Sequence, residues 1–94
     1  MAIVVKNEPE NHRYVIEIDG ERVGMAEYRL RGDIIDFTHT EVDTTRRERG
    51  LAKELVQTAL DDVRNNSTLR VVATCPYVAH WLTEHPDYQD LLSR

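Results

Sequence analysis

The sequence predicts an α/β (α+β) domain, an antiparallel meander of about four strands joined to one βαβ unit whose fifth strand runs parallel to the fourth. Three observations carry that expectation. Apolar alternation punctuated by turn signals fills the first half of the chain. Leu51, Leu55, Val56, Ala59 and Val63 then recur at helical spacing, with Lys53, Glu54, Gln57, Asp61 and Asp62 on the other side. After that helix, Leu69-Arg70-Val71-Val72-Ala73-Thr74 is almost continuously apolar, as a strand covered on both faces reads.

Taken in order, residues 3–6 predict a short edge strand closed by Asn7-Glu8-Pro9. Residues 12–18 alternate with Tyr14, Ile16 and Ile18 on one face, and Asp19-Gly20 supplies a hairpin signal. Residues 22–30 return as a third strand whose apolar parity slips around Met25-Ala26, as at a bulge. Arg31-Gly32-Asp33 turns the chain into a fourth strand, Ile34 to Val42, rich in β-branched residues. The long helix is placed from about Thr45 or Arg46 to Arg64, ended by Asn65-Asn66. A strand, helix, strand order makes a right-handed crossover, which sets residues 69–74 parallel to the fourth strand. Pro76 suits the first turn of a second main helix over residues 77–83, Pro86 ends it, and residues 88–92 dock as a final turn.

Ninety-four residues form one domain, 1–94, with a single core. The net charge of −5 argues against a dedicated nucleic-acid binder. No apolar run approaches the ~18 residues that a bilayer span needs. The first residues, Met1-Ala2-Ile3-Val4-Val5-Lys6, lack the pattern of a signal peptide. The single cysteine, Cys75, forms no intrachain disulfide and fits a reducing cytoplasm, so a cytoplasmic protein is expected, monomeric or weakly dimeric. His80 and His85 lack a third ligand nearby, and no metal site is expected.

The most informative stretch is Arg46-Arg47-Glu48-Arg49-Gly50-Leu51-Ala52, between the fourth strand and the long helix. A basic turn with glycine where a helix opens suits a phosphate, because free N–H groups and the helix dipole point at the anion. Arginines in a first helical turn oppose the dipole unless an anion joins them. On a surface the same arginines also read as a solvated face.

The order of elements, with Arg47-x-x-Gly50-x-Ala52 at that turn, resembles the GCN5-related N-acetyltransferases. Asp36-Phe37-Thr38-His39-Thr40-Glu41-Val42, Ala73-Thr74-Cys75-Pro76-Tyr77-Val78 and Tyr88-Gln89-Asp90-Leu91 narrow the resemblance to the small single-domain subfamily with a Cys/His pair. The resemblance covers about Tyr14 to Leu92. It implies a GNAT-like fold with a truncated C-terminus, and it implies acetyl-CoA (CoA) binding. The backbone of Arg47, Glu48, Arg49, Gly50, Leu51 and Ala52 would cradle the pyrophosphate, while Glu41 and Val42 would offer strand groups to the pantetheine arm. Arg47 stands where the family often has glutamine. Larger relatives wall the acceptor site with a further strand pair, so here that site is open, completed by a partner, or absent.

Cys75 ends a buried strand beside a helix N-terminus, where a thiol pKa falls, although lone cysteines are usually inert small hydrophobes. The resemblance places this cysteine toward the thioester. His39 shares parity with Ile35 and Phe37, and if the parallel strands adjoin it would approach Cys75 as a general base. The plainer reading is a core histidine bound to a carbonyl. Tyr77 is a candidate acid for the departing thiolate or an ordinary packing residue. Trp81 and Leu82 read as the buried side of the second helix, and Tyr88 and Leu91 as anchors of the tail. Three functional readings compete: an enzyme transferring acetyl from acetyl-CoA to an unidentified amine, small or on a peptide, directly or through Cys75; a non-catalytic acetyl-CoA binding module or sensor; and a thiol protein unrelated to acyl transfer.

Overall fold

Five strands lie side by side in chain order in the computed structural model, which describes residues 2–45 and 50–94. They are β1 (Ile3–Glu8), β2 (Arg13–Ile18), β3 (Glu21–Arg31), β4 (Ile34–Val42) and β5 (Arg70–Ala73). The first four are antiparallel and β5 runs parallel to β4, as the crossover requires. Helix α1 (Leu51–Asn66) makes the crossover, and α2 (Pro76–Glu84) leads into a 3-10 segment (Pro86–Ser93). Asp19 (φ 50°) and Gly20 (φ 85°) both sit at positive φ, the tight hairpin geometry that their sequence signalled.

One face of the sheet carries the core. Tyr14, Ile16, Ala26, Tyr28, Ile35 and Phe37 pack with Leu55, Val56, Ala59, Leu60 and Val63 of α1. The apolar stripe of α1 therefore buries as its spacing demands. Polar pins add direction: Tyr14 Oη donates to Asp62 Oδ2 at 2.5 Å, and Tyr88 Oη donates to Asp61 Oδ1 at 2.6 Å. Arg94 closes the other end of α1, donating to the carbonyls of Val63, Arg64, Ser67 and Leu69. Of these, Val63 and Arg64 belong to the last turn of the helix, whose carbonyls lack partners further along it, while Ser67 and Leu69 lie in the segment that follows. Trp81 is buried as expected, stacked on His85 with ring centroids 3.7 Å apart.

The hydrogen bond to the Asp61 carboxylate, followed by burial, pushes Tyr88 up to about 12, and burial raises Tyr14 in the same direction. A raised pKa means that the folded state holds its proton more tightly, so this stabilisation is complete below the ordinary value near 10 and is lost as pH climbs toward 12. Chemical denaturation midpoints should fall steeply between those pH values, and Tyr88→Phe should flatten the fall.

Two register shifts replace the single slip expected near Met25-Ala26. Ile16 faces Gly24 but Glu17 faces Arg22, so Val23 is the extra residue in β3. Glu27 faces His39 but Tyr28 faces Phe37, so Thr38 is the extra residue in β4. An inserted residue switches which side chains face the core from that point on. The apolar run Val23, Ala26 and Tyr28 is the trace of the first bulge, displaced by a few residues from where parity alone put it.

Gly24 sits tightly between β2 and β4. A β-carbon there would meet the Glu41 carbonyl oxygen and Val42 Cγ1 at 2.8 Å each, and Ile16 Cγ2 at 3.0 Å. Alanine normally gains stability over glycine in a strand through backbone entropy, but a backbone atom cannot swing aside. Gly24→Ala should thus destabilise the fold by about 1–3 kcal/mol, measured by chemical denaturation, reversing the usual sign.

Candidate functional site

The two parallel strands part where the site forms. Pairing of β4 with β5 runs from Ile34↔Arg70 to Phe37↔Ala73, and the Cys75 N–H closes it on the Phe37 carbonyl at 2.9 Å. β4 continues to Val42, paired with β3 alone. A crevice at the carboxyl ends of parallel strands is where α/β sheets hold ligands.

A buried carboxylate fixes the parting point. Asp36, only 8% exposed, accepts the Thr74 N–H at 3.2 Å through Oδ1 and the Thr74 hydroxyl at 2.9 Å through Oδ2. Arg31 lies 3.7 Å from the same Oδ2. This clamp ties the end of β5 to the middle of β4 one residue before Cys75. Sequence reasoning passed over Asp36 and Thr74. A charged residue inside an otherwise apolar strand was the available signal, because such a group is buried only with partners.

Cys75 is buried, 4% exposed, at the residue before α2. Its sulfur lies 3.5 Å from Thr40 Oγ1. The expected approach of His39 is not what the contacts record. The bulge at Thr38 turns Thr40 toward the cysteine and His39 to the opposite face, so the parity shared with Ile35 and Phe37 does not persist. His39 is half exposed, and its Nε2 lies 3.3 Å from Glu41 Oε1. His39 and Glu41 thus form one pair, and Thr40 and Cys75 another.

Helix α1 begins at Leu51, five or six residues later than the composition suggested, because Gly50 at φ 76° cannot belong to the helix. Arg46, Arg47, Glu48 and Arg49 precede the first helical residue and lie outside the described residues. Gly50 itself holds the left-handed cap, and no side chain among the described residues caps the first turn. Residues 51–53 of that first turn line a groove of about 400 Å³ together with residues 42–44, Gly50 and Tyr77. Tyr77 is 40% exposed on that groove rather than packed away, and burial raises its pKa, so it stays protonated at neutral pH. An uncapped helix start beside small Gly50 and Ala52 fits a diphosphate in charge and in room.

A second, larger cavity of about 680 Å³ adjoins the groove and shares residues 42–44 with it. Thr40 and Glu41 line it from β4, Met25 and Arg22 from β3, and Arg13 from β2. Thr40 thus belongs both to this cavity and to the contact with Cys75. Among the described residues no group of His, Cys, Asp and Glu could hold a metal ion, and no helix is long and apolar enough to cross a membrane.

A mixed sheet that opens between two parallel strands, beside a glycine-capped helix start, defines an α/β protein with its ligand crevice at the strand ends. Residues 13–91 match the model of the GCN5-related N-acetyl-transferase family, and the chain belongs to that family. It is 33% identical over 87 residues to Protein NATD1 of Bos taurus, covering 89% of this chain and 75% of that one. To Protein NATD1 of Homo sapiens it is 32% identical over 87 residues, covering 89% and 75%. Among solved structures, the ribosomal-protein-alanine N-acetyltransferase of Brucella melitensis superposes with a TM-score of 0.55 at 18% identity, over 78% of this chain and 62% of that one. The N-acetylglutamate synthase of Neisseria gonorrhoeae, solved with coenzyme A and N-acetyl-glutamate, gives 0.60 at 19% identity, over 97% of this chain and 26% of that one. The chain therefore spans less than two thirds of either solved protein, and at these identities the likeness is one of fold.

Proposed function

We propose that this protein binds acetyl-CoA and transfers the acetyl group directly to an amine. The single observation that carries the reading is the parting of β4 and β5 beside an uncapped helix start, in a chain of this family. Backbone N–H groups of residues 51–53, with Arg47 and Arg49 preceding them, hold the pyrophosphate. The edge of β4 at Glu41 and Val42 receives the pantetheine arm. Cys75 and Thr40 line the place of the thioester.

In the transfer, the amine nitrogen attacks the thioester carbonyl carbon, an N–C bond forms and the C–S bond breaks. Glu41, which lines the same cavity as Thr40, takes the proton from the amine and passes it to its partner His39. Tyr77, protonated on the groove wall, supplies one to the departing thiolate. Direct attack is favoured over an acetyl-cysteine route because the partner of the Cys75 sulfur is a hydroxyl, with no base on it among the described residues. Intact mass after mixing with acetyl-CoA tests this choice. The direct route expects no adduct, whereas a gain of about 42 Da that disappears in Cys75→Ala supports the covalent one. Saturable coenzyme A binding without thiol release from acetyl-CoA, across a panel of amines, would leave a binding module in place of an enzyme.

A further inference from the structure

The sheet face opposite α1 is laid out in cross-strand rows that the registers define. Val4, Glu17 and Arg22 form one row. Lys6, Val15, Met25 and Glu41 form the next, and Glu8, Arg13, Glu27 and His39 the third. Most charges in these rows are matched within 4 Å. Lys6 Nζ lies 3.2 Å from Glu17, and Arg13 Nε donates to Glu8 at 2.8 Å. The His39–Glu41 pair closes the third set. Arg22 and Glu27 are the exceptions, and of the two only Arg22 lines the larger cavity, where it is exposed and makes no ion pair among the described residues. Its charge reaches Glu8 only as a weak pull beyond the direct Arg13 contact.

The cavity is therefore polarised. At its β4 side stand the carboxylates of Glu41 and Asp43, the first paired with His39 outside the cavity, beside the Thr40 that touches Cys75. On the β3 side stands the unmatched guanidinium of Arg22, with Arg13 near it and Met25 between as an apolar floor. A ligand with an ammonium toward Glu41 and an anion toward Arg22 satisfies both ends, and a guanidinium grips a carboxylate through two parallel hydrogen bonds. A plain alkylamine leaves Arg22 unpaired, and a diamine places a second cation against it. The inference rests on the acetyl-transfer reading above and adds the class of acceptor to it.

We propose that the acceptor is an amine that also bears a carboxylate, and that Arg22 is the residue that selects it.

The test compares ω-amino acids from glycine to 6-aminohexanoate with the n-alkylamines of matching length and with putrescine, reading thiol release from acetyl-CoA. Coenzyme A affinity is measured separately by calorimetry, so that failure of the cofactor reading is seen by itself. The expected result is a preference of about tenfold or more in kcat/KM for the best amino acid over its matched alkylamine, the size of one charge-assisted contact. Arg22→Ala should abolish that preference with coenzyme A affinity unchanged, and Arg22→Glu should turn it toward putrescine. Equal rates for matched pairs, a faster rate with putrescine in the unaltered protein, or a preference that survives Arg22→Ala would each overturn the proposal. So would absence of turnover with every amino acid by protein that binds coenzyme A.

Discussion

Gly50→Val is expected to weaken coenzyme A binding by about tenfold or more while the fold survives, because the substitution acts on a single strained cap. The residue holds φ 76°, and a β-branched side chain is disfavoured there irrespective of space. Among the described residues nothing lies within 4 Å of where a β-carbon would stand, so the core feels no clash. The cost falls on the backbone geometry that aims the first N–H groups of α1 into the groove. It falls again on the approach of the ligand itself, which needs the bare side of the glycine. Calorimetric titration of the variant reads the affinity, and a thermal melt checks that α1 remains. Gly50→Ala should lie between the two. An unchanged Kd in folded Gly50→Val would remove the pyrophosphate from this turn.

His39→Ala should lower kcat/KM for acetyl transfer by about 100-fold or more, the range in which positioned proton acceptors contribute. Coenzyme A affinity should stay constant, since His39 faces away from the groove that holds the nucleotide. Raising the pH should partly rescue the variant, because hydroxide and the free amine replace the lost base. Cys75→Ala is the contrasting case. With direct attack it should cost less than about tenfold, as a contact beside the thioester rather than the nucleophile. A loss of about a thousandfold in Cys75→Ala, with His39→Ala nearly silent, would reverse the assignment of roles and favour an acetyl-cysteine intermediate.

Much of the architecture was legible in the chain because local chemistry and burial agree there. The period of Leu51, Leu55, Val56, Ala59 and Val63 gave α1, and the run around Val71 gave β5 and hence the parallel pair. Asp19-Gly20 gave the hairpin. Parity across β4 was not legible. One extra residue at Thr38 exchanges the faces of Thr40 and His39, and no propensity marks which residue of Phe37-Thr38-His39 is the extra one. The recorded partner of the cysteine sulfur is consequently a threonine hydroxyl, and that of the histidine a glutamate. The start of α1 was misplaced for a related reason. Helix-forming residues precede Gly50, and only the left-handed cap shows that the helix opens after it. Asp36 escaped notice because its role depends on Thr74, which is distant in sequence and adjacent only once β4 and β5 pair.

Titration of the folded chain with coenzyme A tests the central claim most directly. The account predicts saturable binding at one site per chain, weakened in Gly50→Val and retained in His39→Ala and Arg22→Ala. Absence of binding at millimolar coenzyme A by correctly folded protein would contradict it, since the groove between β4 and α1 would then hold no nucleotide.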